Sequence, residues 1–399
     1  MRKRIARLAA AGLAFVLLVS PVFVKAAAPE TAAKAYALLE ASTGRLLACK
    51  NADEQLPMAS TTKIMTCLLA VEQGNMDQLI TVDKQAVGLE GTSIYLKEGE
   101  TLPFSHLVYG LMLASGNDAA AQIAITLGGS PENFAAMMNE RAKELGAENT
   151  NFVTPNGLPH EDHYTTAADL ARIAGGAMQN EAFRKIVATT SMDLPADEDS
   201  PARYLRSKNK ILYEYEGGNG VKTGYTKAAG KCLVAGAKRG GMQLIAVVLN
   251  DYAMFDDCKA LLDYGFANYA MEEVALAGDR YGSISVTGGL KKSADVQLLE
   301  EVCLPLSPEE FTMVEKKVEL TGELAAPVEQ GQTVGTVEFS LGGQVLARGE
   351  LVTAEPVARD TYLYHFWRVL DRWLGAPGWR TRANREIYGT GGSRLAPQV

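Results

Sequence analysis

The sequence predicts an α/β chain of the α+β type, in which one mixed domain closes its sheet late and a small β-rich domain follows. Three observations carry that prediction. Strand-like apolar runs flank a long helical block, "AYALLEASTGRLLACK" before it and "CLVAGA" and "MQLIAVVLN" after it, so strands from both sides belong in one sheet. Beyond about residue 276 the pattern changes to short alternating runs broken by glycine. The chain, at 399 residues, also exceeds what one hydrophobic core usually supports.

Taken in order, residues 1–28 stand apart. Arg2, Lys3, Arg4 and Arg7 open the chain, "LAAAGLAFVLLVS" follows, and "VKAAA" offers small residues for cleavage around Ala26–Ala28. That is the layout of a secretory signal peptide; the competing reading, an uncleaved anchor, calls for a longer apolar run. The mixed domain is expected over 29–275. It opens with a β-hairpin around Ser42-Thr43-Gly44 and continues with helical patterns over roughly 60–190. One of these, "SPENFAAMMNERAKELG", ends at Gly146 as a C-cap. "MFDDCKALLDYGFANY" reads as the last helix. In the β-rich stretch, 276–357, Val337, Phe339 and Leu341 alternate up to Gly342-Gly343, the sign of a hairpin with a two-residue turn.

Residues 358–399 form a tail of another kind. Leu363, Phe366, Trp367, Leu370, Trp373 and Leu374 make one helical stripe, with His365, Arg368, Asp371 and Arg372 opposite. From 359 onward there are seven arginines and three acids. A 14-residue helix of this composition is too short to span a bilayer but fits its interface. A membrane surface is therefore the expected partner; packing of the helix on its own protein is the bland alternative.

Composition excludes several functions. Residues 1–26 carry five basic and no acidic side chains, so the remaining 34 basic and 47 acidic groups give −13. That balance argues against a nucleic-acid partner. Five cysteines, an odd number without a C-x-x-C pair, do not make a disulfide framework, and the four histidines are not spaced with them as zinc ligands. No metal or cofactor is expected.

The chemistry begins at "MASTTKIMT". Ser60 opens an apolar helix that also carries Lys63, and a lysine there is costly to ionise without a partner. Residues three apart on a helix stand about 5–6 Å apart at Cβ, which brings Lys63 over Ser60. Burial and cationic neighbours depress a lysine pKa. A shift from about 10.4 towards 7 costs about 4–5 kcal/mol and leaves an amine able to deprotonate a serine. A second Ser-x-x-Lys, "SKNK" at 207–210, lies in a polar stretch where its lysine needs no such explanation. Two further fragments follow in order, Ser115-Gly116-Asn117 and Lys222-Thr223-Gly224. Together the three are the motif set of penicillin-binding proteins and class A β-lactamases.

On these motifs, and on "SGNDAAAQIA", "NTNFVTPNGLPHEDHYTTAADLA" and "GVKTGYTKAAGKCLVAGA", the chain resembles the low-molecular-mass penicillin-binding proteins that are D-alanyl-D-alanine carboxypeptidases, the S11 serine peptidases. The resemblance is close over about 30–275 and looser beyond. It implies a β-lactamase/transpeptidase-like domain, an antiparallel sheet flanked by helices, plus a small all-β C-terminal domain. It implies that Ser60 attacks the penultimate D-alanine carbonyl, Lys63 takes its proton and Ser115 relays a proton to the leaving amine. Lys222 would hold Ser115 and keep Lys63 less basic. Asn117 would orient the substrate amide, and Lys222 and Thr223 would face the terminal carboxylate. The N–H groups of Ser60 and Tyr225 would form the oxyanion hole, with Gly224 allowing close approach. Peptidoglycan pentapeptide stems would be the substrate, β-lactams the inhibitors, and the outer face of the bacterial cytoplasmic membrane or the cell wall the location.

Two departures bear on this reading. Ser-Gly-Asn suits the carboxypeptidases better than Ser-Asp-Asn enzymes, and "MQLI" has Gln243 where the family often has arginine, with Arg239 a candidate substitute at the substrate carboxylate. His160 and His163 read as loop and packing residues. A β-lactamase would need a dedicated deacylating carboxylate, and none is evident; a non-catalytic penicillin-binding sensor would tolerate gaps in a set that is complete. Transpeptidase or endopeptidase activity would use the same residues.

Overall fold

Glu40 shows how the first hairpin is made. Its buried carboxylate accepts hydrogen bonds from the Ser42 and Thr43 backbone N–H groups at 3.1 and 2.9 Å and from both hydroxyls at 2.8 Å. The turn residues thereby satisfy a charge that would otherwise be costly to bury. The turn joins β1 (Ala35–Glu40) to β2 (Leu46–Lys50), the hairpin the sequence predicts. The computed structural model describes residues 27–374 except 197 and 199, without the side chains of 371 and 374. The expected signal peptide, save its last two residues, and the basic tail after 374 lie outside the described residues.

The helical block follows: α1 (Lys63–Gln73), α2 (Phe104–Leu113), α3 (Asn117–Gly128), α4 (Pro131–Glu144) and α5 (Ala167–Ala177), with a shorter helix at Glu181–Val187. Ser130 caps α4 by accepting from the Asn133 N–H, and Gly146, at φ 73°, sits just past its end. The chain then returns as β3 (Gly218–Thr226), β4 (Gly230–Arg239) and β5 (Met242–Leu249), and ends this part with α6 (Met254–Asn268). The sheet is antiparallel, in the order β2-β1-β5-β4-β3, so the first hairpin pairs with the last strand.

Both faces of this sheet are covered. Leu39, Val234, Ile245 and Val247 join α1, α2, α3 and α5 in one core, while Leu38, Leu233, Leu244 and Val248 pack on α6 in another. Every residue of β1 and β5 is buried, which explains why both read as nearly continuous apolar runs, broken only by Glu40 and Gln243. β2 and β3 are the two edges of this sheet, and β3 is the one beside the turn that carries Ser60.

After α6, strand Ala270–Ala275 pairs with Val302–Leu306, and six strands between 280 and 353 form a second sheet. The predicted hairpin is present: Leu341 pairs with Gln344 across Gly342-Gly343, whose φ angles of 57° and 83° are the positive pair that a two-residue type I′ turn requires. Val337 and Phe339 lie in this part's core. Arg45, in the turn of the first hairpin, donates to the Pro305 carbonyl and pairs with Glu310 at 2.8 Å. A final helix, Tyr362–Leu374, exposes Leu363, Phe366, Val369 and Trp373. Among the described residues no helix is long and apolar enough to cross a membrane.

Candidate active site

Ser60 sits in the 3-10 turn Ala59–Thr62 that leads into α1, so Lys63 is the first residue of the α-helix itself. Gly157 lets the neighbouring loop lie on this turn: a Cβ there would stand 1.9 Å from the Ala59 carbonyl oxygen. On the other side Thr62 Oγ1 lies 2.8 Å from His163 Nε2 and donates to the Ala59 carbonyl at 2.9 Å. His163 Nδ1 accepts the Val153 N–H at 2.9 Å, so the proton is on Nε2 and is given to Thr62. Burial pushes the imidazole pKa down to about 4 and keeps it neutral. His163 is thus a packing residue, as the sequence suggests, and one that holds the turn of Ser60.

Lys63 is fully buried. Its Nζ lies 2.9 Å from Ser60 Oγ, 2.7 Å from Asn117 Oδ1 and 2.7 Å from the Asn156 carbonyl oxygen. Burial holds its pKa well below the usual lysine value, Lys222 lowers it further, and Asp118 opposes them. The partner set has a chemical consequence. Two of the three partners can only accept, and a neutral amine has two N–H groups to give them. The remaining lone pair faces the hydroxyl that can donate, Ser60.

α2 and α3 are separated by a short junction holding Ser115, at φ 62°, and Gly116. Asn117, first residue of α3, accepts from Lys63 and donates from Nδ2 to the Glu90 carbonyl at 2.5 Å. Asp118 anchors this corner, accepting the Ile94 and Leu96 N–H groups at 3.0 Å each. Lys222, Thr223, Gly224 and Tyr225 come from β3. Gly224 faces the turn of Ser60, where an added Cβ would meet Ser60 N at 3.0 Å and Met58 O at 3.1 Å. Lys222 is buried, its pKa lowered to about 7 by burial and by Lys208, and it donates to the Thr223 carbonyl at 3.0 Å.

These elements enclose a cleft of about 720 Å³ lined by Ser60, Ser115, Asn117, Thr223, Gly224 and Tyr225, with Lys63 and Lys222 buried beside it. All eight residues singled out in the sequence therefore meet at one place. Gln243 and Arg239 do not join them. Gln243 is buried against Asn219, which donates to it at 2.7 Å, and Arg239 stacks on the rings of Tyr215 and Phe266 at 4.6 and 4.8 Å. The expectation that Arg239 substitutes at the substrate carboxylate is corrected, since neither it nor Gln243 lines the cleft. Lys208 and Lys227 are the cations that line it. Sequence reading missed three positioning groups, Asn156, Asp118 and the Glu90 carbonyl. Asn156 and Glu90 act through main-chain oxygens, which carry no residue signature, whereas Asp118 directly follows Asn117 in the sequence and could have been found there.

A serine and a buried lysine on one turn, a second serine and an asparagine on a facing corner, and an edge strand define a serine acyl-transfer hydrolase of the penicillin-binding class. A family profile described as D-alanyl-D-alanine carboxypeptidase matches residues 23–253, and one described as the C-terminal domain of penicillin-binding protein 5 matches 269–359. The D-alanyl-D-alanine carboxypeptidase DacF of Bacillus subtilis is 33% identical over 350 residues, covering 86% of this chain and 90% of that protein. DacC of Escherichia coli, another protein so named, is 30% identical over 92% of this chain and 96% of its own length. The crystal structure of penicillin-binding protein 5 from Haemophilus influenzae superposes with a TM-score of 0.71 at 28% identity, over 83% of this chain and 99% of that one. The chain belongs to the D-alanyl-D-alanine carboxypeptidase family, peptidase S11, and is a serine-type hydrolase of that family.

Proposed function

We propose that this protein removes the terminal D-alanine from peptidoglycan pentapeptide stems through an acyl-enzyme on Ser60. The observation that carries the reading is the placement of a buried, pKa-depressed Lys63 amine 2.9 Å from Ser60 Oγ, with its other hydrogen bonds going to carbonyl oxygens. Lys63 takes the Ser60 proton as Oγ bonds to the penultimate D-alanine carbonyl carbon. The oxyanion is held by the N–H groups of Ser60 and Tyr225. Ser115 relays that proton to the departing amine as the C–N bond breaks, and water then hydrolyses the ester, its proton returning to Ser60 Oγ. Asn117 holds Lys63 through Oδ1; its carboxamide has a second N–H, free to orient the substrate amide. Lys222 and Thr223 receive the terminal carboxylate, and Gly224 keeps the strand close enough for the hole to form. The open edge of β3 suits a peptide that adds to it as an extended strand. β-Lactams acylate Ser60 by the same route and leave slowly.

The same reading sets the protein outside the cell. Residues 1–28 serve as a signal peptide, 29–275 as the peptidase domain, 276–357 as a small β-rich domain and 358–399 as a membrane-surface anchor. In support, the helix Tyr362–Leu374 leaves Leu363 and Trp373 63% and 86% exposed, large apolar groups that gain by entering a bilayer interface. Its place is then the outer face of the cytoplasmic membrane, within reach of the wall. The decisive test is D-alanine release from a diacyl-Lys-D-Ala-D-Ala peptide by the purified protein, with Ser60→Ala beside it. Release that disappears in the variant, together with its labelling by penicillin, is the expected result. Release that persists in Ser60→Ala would remove the serine from its role.

A further inference from the structure

The walls of the cleft are unlike the rest of the molecule in charge. The chain without residues 1–26 carries −13, yet the charged residues lining the cleft are Lys208, Lys227 and one acid, Glu90. Lys208 belongs to the end that receives the terminal carboxylate, since it lowers the pKa of Lys222. Lys227 belongs to the other end. It follows directly after β3, at the tip of the hairpin Gly218–Thr226 to Gly230–Arg239, and is exposed. Among the described residues it makes no salt bridge and no side-chain hydrogen bond, so its charge is not already spent inside the protein.

The direction of the bound peptide follows from the reading above, on which this inference rests. If the terminal carboxylate meets Lys222 and Thr223 and the reacting carbonyl lies between Ser60 and Tyr225, the remaining stem runs on past Thr226. A strand advances about 3.3 Å per residue, so the residue before the two D-alanines comes alongside Thr226 and Lys227. Space continues in that direction. Pro159 and Ala228 line both the cleft and a second depression of about 540 Å³, which Gln55, His160 and Tyr164 also line. The groove therefore has room for the stem to pass Lys227 and go on.

We propose that Lys227 is a specificity residue: it receives a free carboxylate on the side chain of the stem's third residue, the diamino acid. The cleft accordingly selects a stem bearing that acid over one in which it is amidated or absent. A cation at the mouth of a cleft on an acidic protein both attracts the anionic end of a peptide and places it. An exposed pair of this kind discriminates modestly, by about fivefold.

The test compares three acyl-X-D-Ala-D-Ala peptides in which X is meso-diaminopimelate, its side-chain carboxamide, or L-lysine. D-Alanine release is measured as kcat/KM for the natural protein and for Lys227→Ala, Lys227→Glu and Lys227→Arg, and penicillin labelling reports a folded nucleophile in each. The natural protein and Lys227→Arg are expected to prefer the free acid to its amide by about fivefold. Lys227→Ala is expected to lose the preference, Lys227→Glu to reverse it, and salt to flatten it. A preference that Lys227→Ala leaves intact, or one that the natural protein does not show, overturns the assignment of Lys227 while leaving the nucleophile's role standing. No release from any of the three by protein that labels with penicillin overturns the carboxypeptidase reading, and this one with it.

Discussion

A single side chain can do its work by being neutral, and this site has two examples. Lys63 is fitted to the base's role proposed for it because burial and the nearby Lys222 both penalise its cation. His163 holds Thr62 because burial keeps its pKa at about 4, with Nε2–H donating and Nδ1 accepting. The second case has a measurable consequence for stability. Its folded pKa lies below the unfolded value of about 6.5, so between those values the unfolded chain binds the proton and the folded one does not. Stability is therefore full above pH ~6.5 and falls as the pH drops towards 4, by roughly 2–3 kcal/mol from this group. Thermal melts from pH 7 to pH 4 are expected to show a shallower acid-side fall in His163→Gln than in the natural protein. Equal slopes would mean that His163 is not the group titrating.

At the scale of elements, the site is a meeting of three pieces that each bring part of the chemistry: the turn before α1, the α2–α3 junction and the edge strand β3. Their spacing is set by small residues. Gly224 lets β3 approach the turn of Ser60, where a methyl group would stand 3.0 Å from Ser60 N and 3.1 Å from Thr61 N. Gly224→Ala is expected to push strand and turn apart by a few tenths of an ångström and to lower the rate of penicillin acylation by about 10- to 100-fold. Its melting temperature should change little, because the sheet's other contacts are untouched. An unchanged acylation rate in a folded Gly224→Ala protein would show that this approach does not set the oxyanion hole. Lys222 illustrates the same dependence in another way: the sequence places it next to Thr223, and the strand buries it beside Lys63, where its charge matters.

For the molecule as a whole, the two large sheets divide the labour. The first, covered on both faces, holds the chemistry, and the second, joined to it in part by Arg45 with Glu310 and the Pro305 carbonyl, leads to the helix Tyr362–Leu374. Removal of the chain after Val357 is expected to release the protein from membranes while leaving penicillin labelling of Ser60 intact. Sedimentation with membranes checks it, and a truncated protein that still pellets would assign the attachment elsewhere.

How much of this was legible beforehand differs by kind of residue. The hairpin at Gly342-Gly343, the last helix before 270 and the two-sheet plan followed from periodicity and turn chemistry, which are local. That Ser60, Lys63, Ser115, Asn117, Lys222, Thr223, Gly224 and Tyr225 meet at one cleft was legible because each piece of the set is a short contiguous motif, and resemblance supplied the roles proposed for them. By contrast, the hydrogen bonds from Lys63 to the Asn156 carbonyl and from Asn117 to that of Glu90 use main-chain atoms, which any residue possesses. Gln243 looked important by its place in a run, yet β5 carries it to Asn219. Lys208 and Lys227 belong to none of the sequence motifs, and only the fold sets them on the lining of the cleft. By itself the sequence determined which side chains and which elements exist, because those depend on near neighbours. Only the tertiary structure decided what surrounds each side chain, and burial and charge proximity, which turn a lysine into a base, are properties of those surroundings.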